Sequence, residues 1–437
     1  MTEKLQKIPA TSLGPCTVES PLPMSTRFGD GIGNFVPEDT WVRYDIQLPA
    51  DSRSDTEPLF EKTGPRERLY FDPERTRAAV VTCGGLCPGL NNVIRSIFLE
   101  LHHNYRIPEV LGLRYGYRGL NPANGHDPIR LTSEFVERID KQGGTVLGIS
   151  RGVEDETAMV SFLMRKGIDI LFCVGGDGTM RGAHRLHEEA TRAGANISIV
   201  GIPKTIDNDI QYCFRTFGYT TALQTARDVL KSAHNEATSA LNGIGLVKLM
   251  GRNAGYIAAG ATLASQEVNF TLIPEVPFTL EGENGFLKAL EDRLFARSHA
   301  LIAVAEGAGQ NLFEEDCKEL DASGNIRFND IGRLLKQKIS DHLKSRRIPF
   351  DLKYIDPSYL IRSVPADGED SILCDQFARA AVHAAMAGRT DIMIGHANGA
   401  FFHVPIGLVT KGEKRIAPED EIWISVLAAT GQPRVFR

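Results

Sequence analysis

The sequence predicts an α/β fold: two three-layer α/β domains with mainly parallel sheets and the active site in the cleft between them. Three observations carry this. From residue 77 onward, short apolar runs alternate with helix-period segments, the pattern of strands covered by helices on both faces. The chemically interesting residues fall just past the ends of the apolar runs, where open parallel sheets place their ligands. At 437 residues the chain is also too long for one core and suits two domains plus extensions.

Residues 1–74 are rich in Pro, Gly, Asp and Ser with only short apolar pieces such as Trp41–Val42–Arg43–Tyr44, an extension partly ordered against the body or a partner chain. Residues 78–82 then form a buried strand, Cys83–Gly84–Gly85–Leu86–Cys87–Pro88–Gly89 a loop, and residues 90–99 a helix. A strand at 110–113 follows, then a Gly143–Gly144–Thr145 strand ending at Arg151–Gly152, and a helix at 157–166 stopped by Gly167. The run 168–174 leads into Gly175–Gly176–Asp177–Gly178–Thr179, with a helix from 181 to about 192. Beyond it come strands at 197–202, 244–249, 270–273 and 300–305, with helices near 221–234, from after Gly255 to about 265, 280–296 and 369–387. There is no fixed-period repeat.

The composition, 42% hydrophobic and 24% charged, is that of an ordinary soluble globular chain. A net charge of -6 provides no basic field for nucleic acid or an anionic membrane. No apolar run reaches the roughly 18 residues of a membrane span, and Met1–Thr2–Glu3–Lys4 opens no signal pattern, so the expected compartment is cytoplasmic. The seven cysteines, Cys16, Cys83, Cys87, Cys173, Cys213, Cys317 and Cys374, are scattered and odd in number. They read as buried reduced thiols. Cys83 and Cys87 have Pro88 beside them and no second pair, so they do not make a zinc site.

Three strand-end loops combine into one reaction class. Strand, glycine turn and helix aim backbone N–H groups at a phosphate. There Asp177 reads as a ligand for the metal that travels with a nucleotide and Thr179 as a phosphate hydrogen-bond donor, although a plain tight turn fits the same residues. The loop Gly84–Gly85 with Pro88–Gly89 offers backbone donors and room. The third loop holds Lys204, Asp207 and Asp209 within six residues. Phosphoryl transfer needs such a set: charge neutralisation, a metal, and a carboxylate that takes the proton of an attacking hydroxyl. The competing reading of Asp207–Asn208–Asp209 is a turn with helix-capping acids. Arg252 suits an anion clamp or a surface cation, Glu306 a ligand or a strand terminator, and Tyr359–Arg362 a turn of amphipathic helix. His184 and His187 are expected on the exposed face of their helix.

In this order Gly84–Gly85…Pro88–Gly89, Gly175–Thr179, Pro203–Lys204–Thr205–Ile206–Asp207–Asn208–Asp209, Met250–Gly251–Arg252 and Ala305–Glu306–Gly307 resemble the signature of the 6-phosphofructokinases. Arg215–Thr216–Phe217–Gly218, Asp356–Pro357–Ser358–Tyr359–Leu360–Ile361–Arg362 and the lead-in Gly64–Pro65–Arg66–Glu67–Arg68 are similar to its longer branch, typified by plant and trypanosomatid enzymes. The resemblance spans about residues 64–396. It implies a phosphofructokinase-like fold with a 1–75 extension, a nucleotide domain at 76–218 to which about 363–395 returns, a fructose 6-phosphate domain at 219–362, and a 396–437 C-terminal segment.

The resemblance also implies site roles. Gly84, Arg151, Gly152, Gly176, Asp177, Gly178 and Thr179 would meet ATP, with Asp177 binding Mg²⁺. Lys204, Thr205, Asp207 and Asp209 would be catalytic, Asp207 as the base. Thr205, Ile206 and Asp207 would meet the sugar's 1-hydroxyl, while Met250, Gly251, Arg252 and Glu306 hold fructose 6-phosphate and Tyr359, Leu360, Ile361 and Arg362 grip its 6-phosphate. The product would be fructose 1,6-bisphosphate, a step of glycolysis, made by a homo-oligomer (dimer or tetramer). Family members that use pyrophosphate commonly carry Asp at the place of Gly178 together with a lysine like Lys204. This chain has Gly178 and Lys204, and the room Gly178 leaves for an α-phosphate decides for ATP. Gly243 stands where the short bacterial enzymes carry an arginine that reaches a neighbour's site, so that arrangement and its effector site are not carried over. The alternatives are the same fold using pyrophosphate, a lipid or NAD kinase, and a catalytically silent nucleotide-binding regulatory subunit.

Overall fold

The computed structural model describes residues 6–46, 58–152, 154–313, 319 and 327–437. They form two compact units. One comprises residues up to 205 together with 210–218 and 365–412, the other residues 206–209, 219–364 and 413–437.

The first unit is built on a seven-stranded sheet. β1 (Arg77–Thr82) is followed by α1 (Leu90–Leu99), β2 (Glu109–Leu113) and the short β3 (Ile129–Arg130). Next come α2 (Glu156–Lys166), β4 (Ile170–Gly175), α3 (Asp177–Arg192) and β5 (Ser198–Pro203). Asp155 caps α2 by accepting from the N–H groups of Thr157 and Ala158, and Gly167 at φ 62° ends it. Strand order puts β5 beside β4, β4 beside β1 and β1 beside β2, all parallel, with β3 antiparallel at the edge. β4 and β5 are buried at every residue, as strands covered on both faces must be. The chain leaves β1 toward β2 on one side and leaves β4 toward β5 on the other, so the β1–β4 boundary is a topological switch point.

The second unit contains α4 (Tyr219–Ser239), β6 (Gly243–Leu249), α5 (Tyr256–Ser265), β7 (Phe270–Leu272), α6 (Phe286–Arg297), β8 (His299–Ala305), α7 (Ile331–Ser345) and β9 (Asp351–Ile355). Its sheet runs β7-β8-β6-β9, all parallel. Ile244, Leu246, Ile302 and Val304 pack with Phe286, Leu290 and Leu294 of α6 and Ile331, Leu335 and Ile339 of α7. On the other parity, a Cβ at Gly245 would lie 3.1 Å from the Ala233 carbonyl, so glycine lets α4 approach the sheet. The chain then returns to the first unit with α8 (Gly368–Met386), β10 (Ile392–Ala397), parallel to β5, and β11 (Ala400–Pro405), antiparallel at the edge. Finally α9 (Glu421–Thr430) lies in the second unit.

The extension is tied down. Strands Gln6–Ile8, Pro58–Glu61 and Trp41–Arg43 form a small sheet, and Thr11–Ser12 pairs with Arg389–Thr390. Arg66, in the Gly64–Arg68 lead-in, is almost wholly buried. It donates to the carbonyls of Val36, Pro37 and Lys62 and to the Glu61 carboxylate. That segment is a structural clamp. Burial alone would raise Glu61, but His403 and Arg389 bring it down to about 2.

Several local expectations need correction. Residues 143–150 form no strand. β3 already occupies the edge beside β2, and the loop bonds instead to strand ends, with Thr82 Oγ1 donating to Gly148 O (2.9 Å) and Tyr115 N–H to Leu147 O (2.8 Å). The helix after the glycine turn begins at Asp177 rather than Arg181, so the turn is itself the helix start. α6 begins only at Phe286, because Gly282 at φ 103° and the N-cap Gly285 occupy the lead-in. Residues 358–362 form a turn, not a helix. His184 and His187 are half-buried rather than on the exposed face. His184 Nδ1 meets the Asp391 carboxylate at 2.9 Å and His187 Nδ1 meets Thr390 Oγ1 at 3.3 Å, because this face of α3 packs on the chain entering β10.

Candidate active site

In the first unit the ends of β1, β4 and β5 lie side by side. Cys83 N–H donates to Val174 O (2.9 Å) and Lys204 N–H to Gly175 O (3.0 Å), so the three predicted loops start in register. Lys204 is 5% exposed and reaches back to β1, where its ammonium donates to the Gly85 carbonyl at 2.7 Å. Gly84 turns at φ 82°, and a Cβ there would sit 3.3 Å from that ammonium. Glycine is used here for a left-handed turn and for close approach. The Gly84 N–H is taken by Ser150 O (3.1 Å), so Gly84 supplies room rather than a backbone donor. The same bond places exposed Arg151 and Gly152 beside the β1 loop.

The glycine turn is the first turn of α3. Gly176 is the N-cap, and Asp177, Gly178 and Thr179 follow. First-turn N–H groups have no carbonyl one turn earlier to bond, which is why such ends receive phosphate. Asp177 is half-buried and pairs with Arg181. Gly178 has no positive φ, and the nearest atom to a Cβ there is an Arg181 nitrogen at 4.0 Å. Neither backbone nor packing requires glycine at 178. Gly175 is the opposite case, since a Cβ would come within 2.1 Å of Thr179 Oγ1.

Thr179 itself is 6% exposed and packed against Gly175, with its N–H on Gly176 O. Its side chain packs under the glycine turn. Burial pushes the Cys83 thiol up, and Cys173 up to about 12, so both stay protonated and unreactive at neutral pH. Cys87, Cys213 and Cys374 are also buried and Cys16 is partly exposed, whereas Cys317 lies outside the described residues. No described group of three His, Cys, Asp or Glu side chains could close a metal site by itself. A cation at Asp177 would therefore take its other ligands from phosphate and water, as Mg²⁺ does beside a nucleotide.

Thr205 still belongs to the first unit, and the second unit carries the remaining predicted residues. After buried Ile206, half-buried Asp207 precedes Asn208 at φ 54°, a left-handed position that asparagine tolerates. The Asp209 carbonyl accepts from Lys414 N–H at 2.7 Å. Met250 is half-buried, and Gly251 at φ 123° leaves no space for a Cβ, which would lie 2.7 Å from Ala254 O. Arg252 stacks 4.6 Å from the Phe328 ring centre, and Arg362 stacks 5.0 Å from that of Tyr359. Tyr359 and Leu360 are 73% and 64% exposed, whereas Ile361 is fully buried and anchors the turn.

Glu306 ends β8, its N–H bonded to Leu249 O (2.9 Å). Burial raises its carboxyl above the ordinary glutamate value, while the ammonium of Lys248 and the guanidiniums of Arg252 and Arg362 oppose that. Lys248 was not among the sequence candidates. The signal was present as a lysine inside an apolar strand, at the parity of Ile244 and Leu246.

A model of the family described as Phosphofructokinase matches residues 77–385. An ATP-dependent 6-phosphofructokinase of Borreliella burgdorferi is 44% identical over 97% of this chain and 96% of its own length. One from Amycolatopsis methanolica is 42% identical over 100% and 97%, and ATP-dependent 6-phosphofructokinase 1 of Arabidopsis thaliana is 43% identical over 92% and 85%. Among solved structures, a pyrophosphate-dependent phosphofructokinase from Marinobacter aquaeolei matches with TM-score 0.67 at 19% identity, covering 82% of this chain and 91% of its own. A phosphofructokinase from Saccharomyces cerevisiae matches with TM-score 0.63 at 23% identity, over 81% and 47%. At these identities the structural likeness is one of fold.

Proposed function

The chain belongs to the phosphofructokinase family, and from that premise we propose that it transfers the γ-phosphoryl group of ATP to the 1-hydroxyl of fructose 6-phosphate. The products are fructose 1,6-bisphosphate and ADP, in glycolysis. The observation that carries the reading is Lys204, a buried cation anchored on the Gly85 carbonyl at the β1–β4 switch point. It supports the charge of a moving phosphoryl group, and the carboxylate of Asp207 follows it by three residues.

The roles divide between the units. Gly84, Arg151, Gly152, Gly176 and Gly178 receive the nucleotide phosphates. Asp177 would hold Mg²⁺, which when bound offsets phosphate charge. Asp207 accepts the proton of the 1-hydroxyl, with Thr205, Ile206 and Asp209 shaping its loop. Met250, Gly251 and Arg252 with Glu306 receive the sugar phosphate, Glu306 as acceptor for hydroxyls, and Arg362 is the cation of the Tyr359–Arg362 turn. The 42–44% identity to relatives named ATP-dependent supports ATP as donor, and so does the open space at Gly178. Pyrophosphate remains the competing donor because Lys204 is present. Measuring kcat/KM for fructose 6-phosphate with ATP and with pyrophosphate on one preparation tests this, with ATP preferred. A pyrophosphate preference would overturn the donor assignment.

No helix among the described residues is long and apolar enough to cross a membrane. We place the enzyme in the cytoplasm as a homo-oligomer, dimer or tetramer, which fractionation and sedimentation measure.

A further inference from the structure

Lys248 breaks an otherwise apolar strand. Period two puts it on the face of Ile244 and Leu246, which α6 and α7 cover. It is only 14% exposed, where an unpaired ammonium would be costly. Its Nζ lies 2.8 Å from Asp356 and 3.3 Å from Asp330. Asp330 is the N-cap of α7 and also accepts from the Tyr354 hydroxyl at 3.1 Å. Asp356 opens the turn that carries Tyr359–Arg362, accepting from the Ser358 N–H at 3.2 Å and from its hydroxyl.

One side chain therefore joins three pieces of the second unit: the end of β6 two residues before Met250, the start of α7, and the turn bearing Arg362. β8 is in register with β6 as well, with Leu249 opposite Ala305, so Glu306 follows directly. The charged groups that act on Glu306 are Lys248, Arg252, Arg362 and Asp356. Burial alone would depress Lys248, but Asp356, Tyr354 and Asp330 reverse that and hold it charged.

We propose that Lys248 is a positioning residue for the sugar phosphate: it locks the Asp356 turn to the end of β6, so that Arg252, Glu306 and Arg362 stand ready for the acceptor. This rests on the fructose 6-phosphate reading above. A lysine that merely filled the core would be replaced by methionine with no selective effect on one substrate.

The test uses the full chain, with Lys248→Met, Lys248→Arg and Asp356→Asn compared by steady-state kinetics after circular dichroism. Loss of a charge-assisted hydrogen bond predicts that Lys248→Met raises KM for fructose 6-phosphate about tenfold or more, while KM for ATP stays within about twofold and kcat falls less. Lys248→Arg recovers most of that loss. Removing the cation also lets Glu306 protonate at higher pH, so the acid limb of kcat/KM for fructose 6-phosphate moves upward in Lys248→Met. If Lys248→Met does not fold, Asp356→Asn, which keeps the shape, must show the same split in KM. An active wild type whose variants alter both KM values equally, or leave the fructose 6-phosphate KM and the acid limb unchanged, overturns the inference alone. A wild type inactive on fructose 6-phosphate overturns the functional reading and the inference with it.

Discussion

The surface of the first unit that we propose faces phosphate is mostly backbone. Gly84, Gly85, Gly176 and Gly178 line it, and buried Lys204 is anchored to it. The corresponding surface of the second unit is made of side chains: Arg252 on Phe328, Arg362 on Tyr359, and Glu306 among the cations. A polyphosphate is long and uniformly charged, so a helix start and one fixed cation suit it, and shape does the rest. A sugar phosphate carries one charged end and several hydroxyls. It is recognised by separate groups at separate points, each of which must be held by its neighbours. The backbone half should therefore respond to added bulk or charge, and the side-chain half to removed groups.

Four outcomes test that contrast, in order of size. Asp207→Ser removes the base and should lower kcat by about 10²–10⁴, with fructose 6-phosphate binding largely kept in an equilibrium titration. Near-normal kcat would remove Asp207 from the mechanism. Gly178→Asp adds charge to the backbone half at a position with free space and an ordinary helical φ, so it should fold. Like-charge contact with the nucleotide should lower kcat/KM for ATP on the order of 10²-fold and shift preference toward pyrophosphate. An unchanged donor ratio would show that Gly178 does not face the nucleotide.

Arg252→Ala removes a group from the other half, and loss of one charge-assisted bond predicts a rise in fructose 6-phosphate KM of about 10–100-fold with little change in the ATP KM. Parallel changes in both constants would erase the distinction between the halves. The smallest effect is on pH. Burial raises the Glu306 carboxyl above the ordinary glutamate value, so as pH falls its ionised form is lost earlier than that of an exposed glutamate. The fructose 6-phosphate KM should rise a few-fold on that limb, and Glu306→Gln should abolish the limb in a pH-rate profile.

Legibility followed the range of the forces involved. Alternating apolar runs, the Gly167 stop and the three strand-end loops were readable, because strand parity, capping and left-handed turns are set within a few residues. The family resemblance, rather than spacing, supplied the roles proposed for Lys204, Asp207, Arg252 and Glu306. The burial of Thr179 was not readable, because spacing gives its distance from Gly175 but not the inward direction that Gly175 permits. His184 was misplaced because Asp391, its partner, lies far along the chain.

By itself, then, the sequence determined the α/β class, the loops at the strand ends and, through the family signature, the reaction. Tertiary structure decided the strand order that makes β1–β4 a switch point, the seating of Lys204 on Gly85, and the Lys248 link from β6 to the Asp330 and Asp356 carboxylates. Each of these is a pairing between residues distant in the chain, set by sheet register and burial rather than by local preference.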